Sequence, residues 1–211
     1  MPNITKLTED YILQHPSIKD CLVNGLVNYS SLSRKVAIDS KLDLKKNFDA
    51  ILIACRRFKR KLRQSEISEN KVLNILKDSK IEIKNKIVGI VLEKGIFFGH
   101  LVELEKEIKK KKETVKIVEG VSGITMIISE DFLELVKRYF RNKIILINME
   151  LAEITVKSPK EIETTPGTYA YMCSLLGEHN INIVETLSCW TDSIFLIKEY
   201  DVGKVMGLFR F

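Results

Sequence analysis

From residue 80 onward the apolar residues change repeatedly between the two-residue spacing of strands and the 3.6-residue spacing of helices. Strand patterns lie at 87–92, 114–118, 124–128 and 143–148, with helix patterns at about 100–112 and 131–140. A second series follows, with strands at 152–156, 181–187 and 194–198 and helices at 168–177 and 201–209. The first series reads βαββαβ and the second βαββα. This order predicts two ferredoxin-like units in an α+β protein.

The first third of the chain reads differently, because it contains helix patterns only. We expect N-caps at Thr8 and at Ser30 or Ser31, a helix stop at Gly25, and a long helix over about 43–64. Residues 1–64 carry a net charge of +7, whereas residues 65–150 carry +2 and residues 151–211 carry −3. The asymmetry indicates a modular chain whose N-terminal module favours anionic partners.

The long N-terminal helix has a strongly basic face. A short helix, a tight turn and a longer basic helix form a helix-turn-helix-like outline. The alternative interpretation is a solvated helix face, because basic groups are favoured near a helix C-terminus. The candidate nucleic-acid contacts are Arg56, Lys59, Arg60 and Arg63.

A Thr-Pro-Gly sequence precedes the helix of the second series. Pro166 at a helix entry loses no hydrogen bond, and Gly167 lets a ligand come close to the backbone. The free N–H groups of such a helix N-terminus suit a carboxylate. Asn182, on a neighbouring predicted strand, offers both a donor and an acceptor. The alternative is that Pro-Gly makes only a tight turn and Asn182 satisfies an edge backbone.

These residues resemble the ACT domain, and in particular the tandem regulatory ACT domains of aspartate kinases. The resemblance rests on residues 165–170 and 180–183, Thr-Pro-Gly-Thr-Tyr-Ala and Asn-Ile-Asn-Ile, which are separated by nine residues. A histidine and an asparagine stand where the family often has Ala-Gly, and the first series, with Gly95 and Gly99 but no Pro-Gly, matches in architecture only. The resemblance implies these ligand-binding residues: Thr165, Pro166, Gly167, Thr168, Tyr169, Asn180, Ile181, Asn182 and Glu185.

The resemblance also implies an arrangement for the missing strand of the second series. In aspartate kinases one ACT unit is inserted into the other, and residues 80–84 would then complete the second sheet. The alternative is a single long strand from 81 to 92. Pairing of residues 81–84 with a strand of 151–198 would support insertion.

The expected organisation is a helix-turn-helix-like helical module (1–64), a linker helix with the first ACT domain (65–149), and a second ACT domain (150–211). As a whole the chain resembles an archaeal group of predicted regulators of amino-acid metabolism. The kinase domain of aspartate kinases is absent, so their activity is not implied. The resemblance implies a regulator that senses an amino acid and forms a homodimer, with a ligand-responsive DNA-binding regulator as the alternative.

Several classes of function are disfavoured by the sequence. It contains no phosphate-binding loop, G-x-S-x-G motif, paired carboxylates in a glycine context or Cys/His dyad, so we expect no catalysis. The three histidines and four cysteines lack metal-ligand spacing, and we expect no metal, no cofactor and buried, reduced thiols. No apolar run is long enough to span a membrane, and the start lacks a signal-peptide pattern, so we expect a cytoplasmic protein.

Overall fold

The computed structural model describes residues 3–62 and 66–211, and the chain divides into two compact units, Met1–Asn70 and Lys71–Phe211. The first unit is helical, with α1 (Ile4–Leu13), α2 (Pro16–Val23), α3 (Tyr29–Asp39) and α4 (Leu44–Leu62). A further helix, α5 (Glu66–Lys77), leads into the second unit. The apolar faces of α1 to α4 enclose a core that includes Ile12, Leu22, Val36 and Ile51, each fully buried.

The helix starts of the first unit differ in part from the predicted ones. Asn3 and Asn28 cap α1 and α3 by accepting hydrogen bonds from backbone N–H groups three residues on. The predicted cap Thr8 instead lies inside α1, where its buried hydroxyl donates to the carbonyl of Ile4. The helix begins one turn earlier because Asn3 supplies the oxygen that its first free N–H groups require. Gly25, at φ +77°, follows the end of α2, as predicted.

The second unit contains one antiparallel sheet covered by helices. Its six strands lie in the order β2-β3-β1-β4-β6-β5, and all of the pairs are antiparallel. In chain order the elements are β1 (Lys80–Leu92), α6 (Phe98–Lys110), β2 (Lys116–Glu119), β3 (Ile124–Ser129), α7 (Leu133–Phe140), β4 (Ile144–Lys157), α8 (Thr168–Glu178), β5 (Glu185–Cys189), β6 (Asp192–Lys198) and α9 (Val202–Leu208).

Two ferredoxin-like units share the long strands β1 and β4. The first sheet unit uses residues 87–92 of β1 with β3, β2 and the first half of β4, in the order expected for βαββαβ. The second sheet unit uses the second half of β4 with β6, β5 and residues 80–84 of β1. Ile81 pairs with Val156 and Ile83 with Ile154, so the first sheet unit is inserted into the second. The strand is also continuous over 80–92, so both features considered from the sequence are present.

The boundary between the two sheet units is marked by breaks in the strand register. The pairing of β1 with β4 shifts between Lys84 and Ile87, and Lys86 and Glu150 adopt positive φ of 56° and 58°. Such irregularities bend a strand and re-aim the side chains that follow. As a result, a small core of Ile87, Ile127, Leu151, Ile194 and Leu196 forms where the two halves of the sheet meet.

Each sheet unit has its own helix-covered core. The first lies beneath α6 and α7 and includes Val88, Leu104, Met126 and Val136. The second lies beneath α5, α8 and α9. Its buried residues include Leu76, Met172, Phe195 and Phe209. The helix α5 thus packs into the same core as α8.

The predicted strand 181–187 is wrong in its first half. Residues 181–184 are not strand, and β5 begins at Glu185. Asn180 adopts φ 55° at the end of α8, and Ile181 turns into the core at 3% exposure. Backbone pairing with β6 begins at Val184, whose N–H donates to the carbonyl of Leu196. Because Ile181 packs into the core, β5 begins at Glu185 and not at residue 181.

Candidate ligand pocket

The Thr-Pro-Gly sequence forms the N-terminus of α8. Gly167 has φ +97° and directly precedes the first helical residue, Thr168. The hydroxyl of Thr168 donates to the carbonyl of Thr165 over 3.2 Å, which fixes the turn. Among the residues that the structure describes, no acceptor bonds the backbone N–H of Tyr169 or Ala170, because the first bond of the helix runs from Tyr171 to Gly167. These two donors remain available, as at any helix start without a side-chain cap.

A pocket of about 490 Å³ opens at this helix N-terminus. Residues 162–169 form one wall, so Thr165, Pro166, Gly167, Thr168 and Tyr169 lie where the sequence predicts a ligand. The remaining lining comes from the β5–β6 hairpin, through Ser188, Trp190 and Ser193. Ser188 and Ser193 are direct cross-strand partners.

Ser193 is the most informative residue of the pocket. Its side chain is buried, with 1% of the residue exposed, yet its Oγ has no hydrogen-bond partner within the described parts of the chain. A buried hydroxyl without a partner costs about 1–3 kcal/mol. Ser193 lies on the same face of β6 as the core residues Phe195 and Ile197. The buried hydroxyl without a partner thus belongs to a residue that lines the pocket.

Tyr169 forms the inner wall. Its ring stacks on Phe195 with the ring centroids 5.5 Å apart, and its hydroxyl is hydrogen-bonded to Thr186. The Thr186 hydroxyl donates to the carbonyl of Ile194, so Tyr169 is the donor of this pair. Burial raises the pKa of Tyr169. The phenol is therefore neutral at physiological pH and rigidly held.

The charges around the pocket lie at its mouth. Glu163 is exposed and is the carboxylate among the lining residues. Trp190, at φ 54° in the hairpin turn, is 66% exposed. The ammonium of Lys160 lies 5.6 Å from the centroid of the Trp190 ring, which is a cation–π contact.

Four predicted ligand-binding residues lie away from this pocket. Asn180 and Ile181 follow the C-terminus of α8, the opposite end of an 11-residue helix. Asn182 is exposed outside any strand, because the strand starts later than predicted. Glu185 accepts a hydrogen bond from the N–H of Thr186 over 3.1 Å. None of the four lines the pocket.

Sequence reasoning missed the hairpin residues. Ser188 and Trp190 lie in or beside a predicted turn, which gave no reason to choose them. Ser193 carried a signal, because it is a polar residue at an alternate position with Phe195 and Ile197. A serine on the apolar face of a strand is a candidate pocket residue.

The corresponding loop of the first sheet unit is built differently. Gly95 has φ +79°, and Phe97 and Phe98, which follow it, are 70% and 72% exposed. The ring of Phe97 lies against Gly99 in the first turn of α6. An aromatic side chain thus packs at this helix start, where α8 has a pocket.

Two of the four predicted nucleic-acid residues contact other parts of the helical unit. The guanidinium of Arg56 lies 5.7 Å from the centroid of the Tyr29 ring. Nζ of Lys59 lies close to Gly25, in the turn between α2 and α3. The neighbouring Lys61 forms an ion pair with Glu9 at 2.6 Å. Arg60 is exposed, and Arg63 lies outside the described residues.

The described residues contain neither a candidate metal cluster nor a helix able to span a membrane. Within 3–62 and 66–211, no group of three or more His, Cys, Asp or Glu side chains could hold a metal ion. No helix in these ranges combines the length and apolar character needed to cross a bilayer. The four cysteines are free, but only Cys55 is buried; Cys173 is half-buried, and Cys21 and Cys189 are exposed, contrary to expectation.

Comparisons with known proteins give structural similarities only. No family model matches the sequence, and no curated protein sequence matches it. Aspartate kinase from Clostridium acetobutylicum is similar at 16% identity over 62% of this chain, with a TM-score of 0.49. The chain matches 33% of that kinase, about a third of its length.

Two shorter proteins are similar over most of their own length. The regulatory subunit of aspartate kinase from Thermus thermophilus has 16% identity over 61% of this chain and 92% of its own, with a TM-score of 0.47. The regulatory subunit from Thermus flavus has 12% identity over 63% of this chain and 94% of its own length, with a TM-score of 0.48. The strand order of this chain defines its ferredoxin-like fold independently of these similarities.

Proposed function

We propose that residues 71–211 form a pair of ACT-type domains that sense an amino acid, and that the chain is a non-catalytic regulator of amino-acid metabolism. The observation that carries this proposal is the unpartnered Ser193 hydroxyl beside the free N–H groups at the start of α8. Ser193 and Tyr169 line the pocket, and Ala170 follows Tyr169 in the first turn of α8. A carboxylate is the common small anion that such a set binds.

Binding is a better explanation of this pocket than catalysis. Its lining contains one carboxylate, Glu163, and no histidine, cysteine or lysine. General acid–base or nucleophilic chemistry needs a titratable pair within hydrogen-bond reach of the substrate. The neutral phenol of Tyr169 donates a hydrogen bond to the Thr186 hydroxyl and is not placed as a base.

The N-terminus of α8, which lines the pocket, lies close to α5. A Cβ atom added at Gly167 would lie 3.9 Å from Cγ2 of Val72 on α5. The helix α5 begins at Glu66 and therefore connects directly to the helical unit in the chain. A ligand that shifts residues 162–169 would act on α5, in proportion to its differential affinity for the two positions.

Thermal unfolding against each of the twenty amino acids tests the proposal. A ligand at about 100 times its dissociation constant adds roughly 2.7 kcal/mol, which raises the Tm by several degrees. We expect at least one responder in wild type and none in Gly167→Val. Gly203→Val, with open space around the added side chain, should keep the response. Absence of any responder would overturn the proposal.

We further propose a cytoplasmic homodimer. The outer strands of the sheet, β2 and β5, have free edges, and joining edges satisfies unpaired backbone groups. Sedimentation equilibrium measures the assembly state, and a monomer at micromolar concentration would contradict the dimer.

DNA binding remains the second candidate. The observation in its favour is the charge of +7 on residues 1–64, together with the exposed Arg57 and Arg60 on α4. We expect salt-dependent retention on duplex DNA that the double variant Arg57→Glu, Arg60→Glu abolishes. Unchanged retention in that variant would remove the DNA candidate.

A further inference from the structure

The pocket has a simple charge balance. The lining contains one carboxylate, that of the exposed Glu163, together with the N-terminus of α8 and the buried Ser193 hydroxyl. The helix dipole makes the region around that N-terminus electropositive. A ligand with one anionic and one cationic group therefore matches the pocket. A second cationic group would have no carboxylate of its own in the lining.

The pocket lining also includes apolar surface that is exposed to solvent. Ile162 is half-buried and Trp190 is 66% exposed, and both line the pocket. An apolar group that covers this surface gains roughly 25 cal/mol per Å² removed from water. The ammonium of Lys160 already lies over the indole, at 5.6 Å from its centroid. This position therefore favours an uncharged group and repels a cation.

Building on the proposed function, we propose that the pocket selects α-amino acids with an uncharged, apolar side chain and rejects lysine and arginine. The ligand carboxylate accepts from the N–H groups of Tyr169 and Ala170 and from the hydroxyl of Ser193. The α-ammonium pairs with Glu163. The side chain lies on Ile162 and the indole of Trp190, next to the Lys160 ammonium.

Calorimetric titration with L-norleucine and L-lysine tests the selectivity, because the two share one carbon chain and differ in the terminal ammonium. We expect norleucine to bind at least tenfold more tightly to the full chain. Lys160→Glu should reduce this ratio at least threefold, because it replaces the repelling cation with an attracting anion. Lys160 is exposed, so the variant should unfold at the wild-type temperature.

Lys110→Glu is the matched control. It makes the same charge change at an exposed site at the end of α6, and it should leave the ratio unchanged. Trp190→Ala should weaken norleucine more than glycine, which has no side chain to cover the indole.

The outcomes separate the two proposals. Lysine binding as tightly as norleucine would overturn the selectivity and leave amino-acid sensing intact. An equal change of the ratio in Lys110→Glu and Lys160→Glu would also overturn it, because the effect would then be one of net charge. Failure of all twenty amino acids to bind would overturn the sensing function itself.

Discussion

At the scale of single residues, the hydroxyl groups of the buried residues Ser193 and Tyr11 differ in their hydrogen bonding. The Oγ of Ser193 has no partner in the described chain, whereas the phenol of Tyr11 donates to a carboxylate oxygen of Asp39 over 2.5 Å. The ring of Tyr11 also stacks on His15, at 4.3 Å between centroids. In our proposal the first hydroxyl binds the ligand, whereas the second joins α1 to Asp39 at the end of α3.

Ser193→Ala should separate folding from binding. The change removes an unsatisfied buried hydroxyl, so the free energy of unfolding without ligand should rise by about 1 kcal/mol. Amino-acid affinity should fall, because the carboxylate loses a donor. Urea unfolding and calorimetric titration measure the two effects. Ser122→Ala, at an exposed position outside the pocket lining, is the control, and a destabilised Ser193→Ala would mean that the hydroxyl has a partner.

Tyr11 predicts an alkaline limit to the stability of the helical unit. Burial, with the hydrogen bond to Asp39, raises the pKa of Tyr11 to about 12 from about 10. The folded state thus favours the neutral phenol, so this contribution is complete below pH 10 and is lost as the pH rises toward 12.

Tyr11→Phe should flatten this part of the profile. The stability of the variant should change less than that of wild type between pH 10 and pH 12, in urea unfolding followed by circular dichroism. Tyr200→Phe, at a residue with 78% exposure, should keep the wild-type profile. Identical profiles for Tyr11→Phe and wild type would contradict the assignment.

At the scale of elements, the two ends of α8 impose different requirements on glycine. Gly167 precedes the helix at φ +97°, where an L side chain is strained. Gly177, in the last turn, has ordinary helical geometry, and an added Cβ would meet no atom within 4 Å. The same substitution should therefore have opposite signs at the two positions.

Gly167→Ala should destabilise the second unit by roughly 1–2 kcal/mol, and Gly177→Ala should stabilise it by about 0.5–1 kcal/mol. Steric conflict is not the cause at Gly167, because Val72 lies at an ordinary contact distance of 3.9 Å. Chemical unfolding measures both variants. Equal effects would show that φ at Gly167 is not a constraint.

At the scale of the whole second unit, an ion pair joins the two sheet units. Glu153 on β4 is 3% exposed, and its Oε2 accepts from Nζ of Lys116 on β2 over 2.6 Å. Thr155 donates to its other oxygen over 3.3 Å. The lysine side chain keeps 25% of its exposure, so the two partners are buried unequally.

Because the two partners are buried unequally, we expect their substitutions to lower the free energy of unfolding by different amounts. Lys116→Met leaves a buried carboxylate without its cation, which should cost roughly 2–4 kcal/mol. Glu153→Gln leaves a lysine that can reach water, so it should cost about half as much. Urea unfolding compares the two, and Lys94→Met, from the exposed pair with Glu119, should cost less than about 1 kcal/mol. A larger loss in Glu153→Gln would contradict the burial argument.

Much of the fold follows from the sequence alone, because its determinants are local. The spacing of apolar residues determines the βαββαβ order, and Pro166 and Gly167 determine where α8 begins. The pairing of residues 81–84 with β4, suggested by resemblance, is confirmed by the register.

Only the tertiary structure decides which residues share the pocket. Ser193 and Trp190 reach Gly167 because β5 and β6 fold back beside α8, a contact between segments about 25 residues apart. Asn182 is excluded because the burial of Ile181 delays β5. The periodicity of a helix or strand depends on residues that are neighbours in sequence. A pocket depends on packing between distant segments, which that periodicity does not determine.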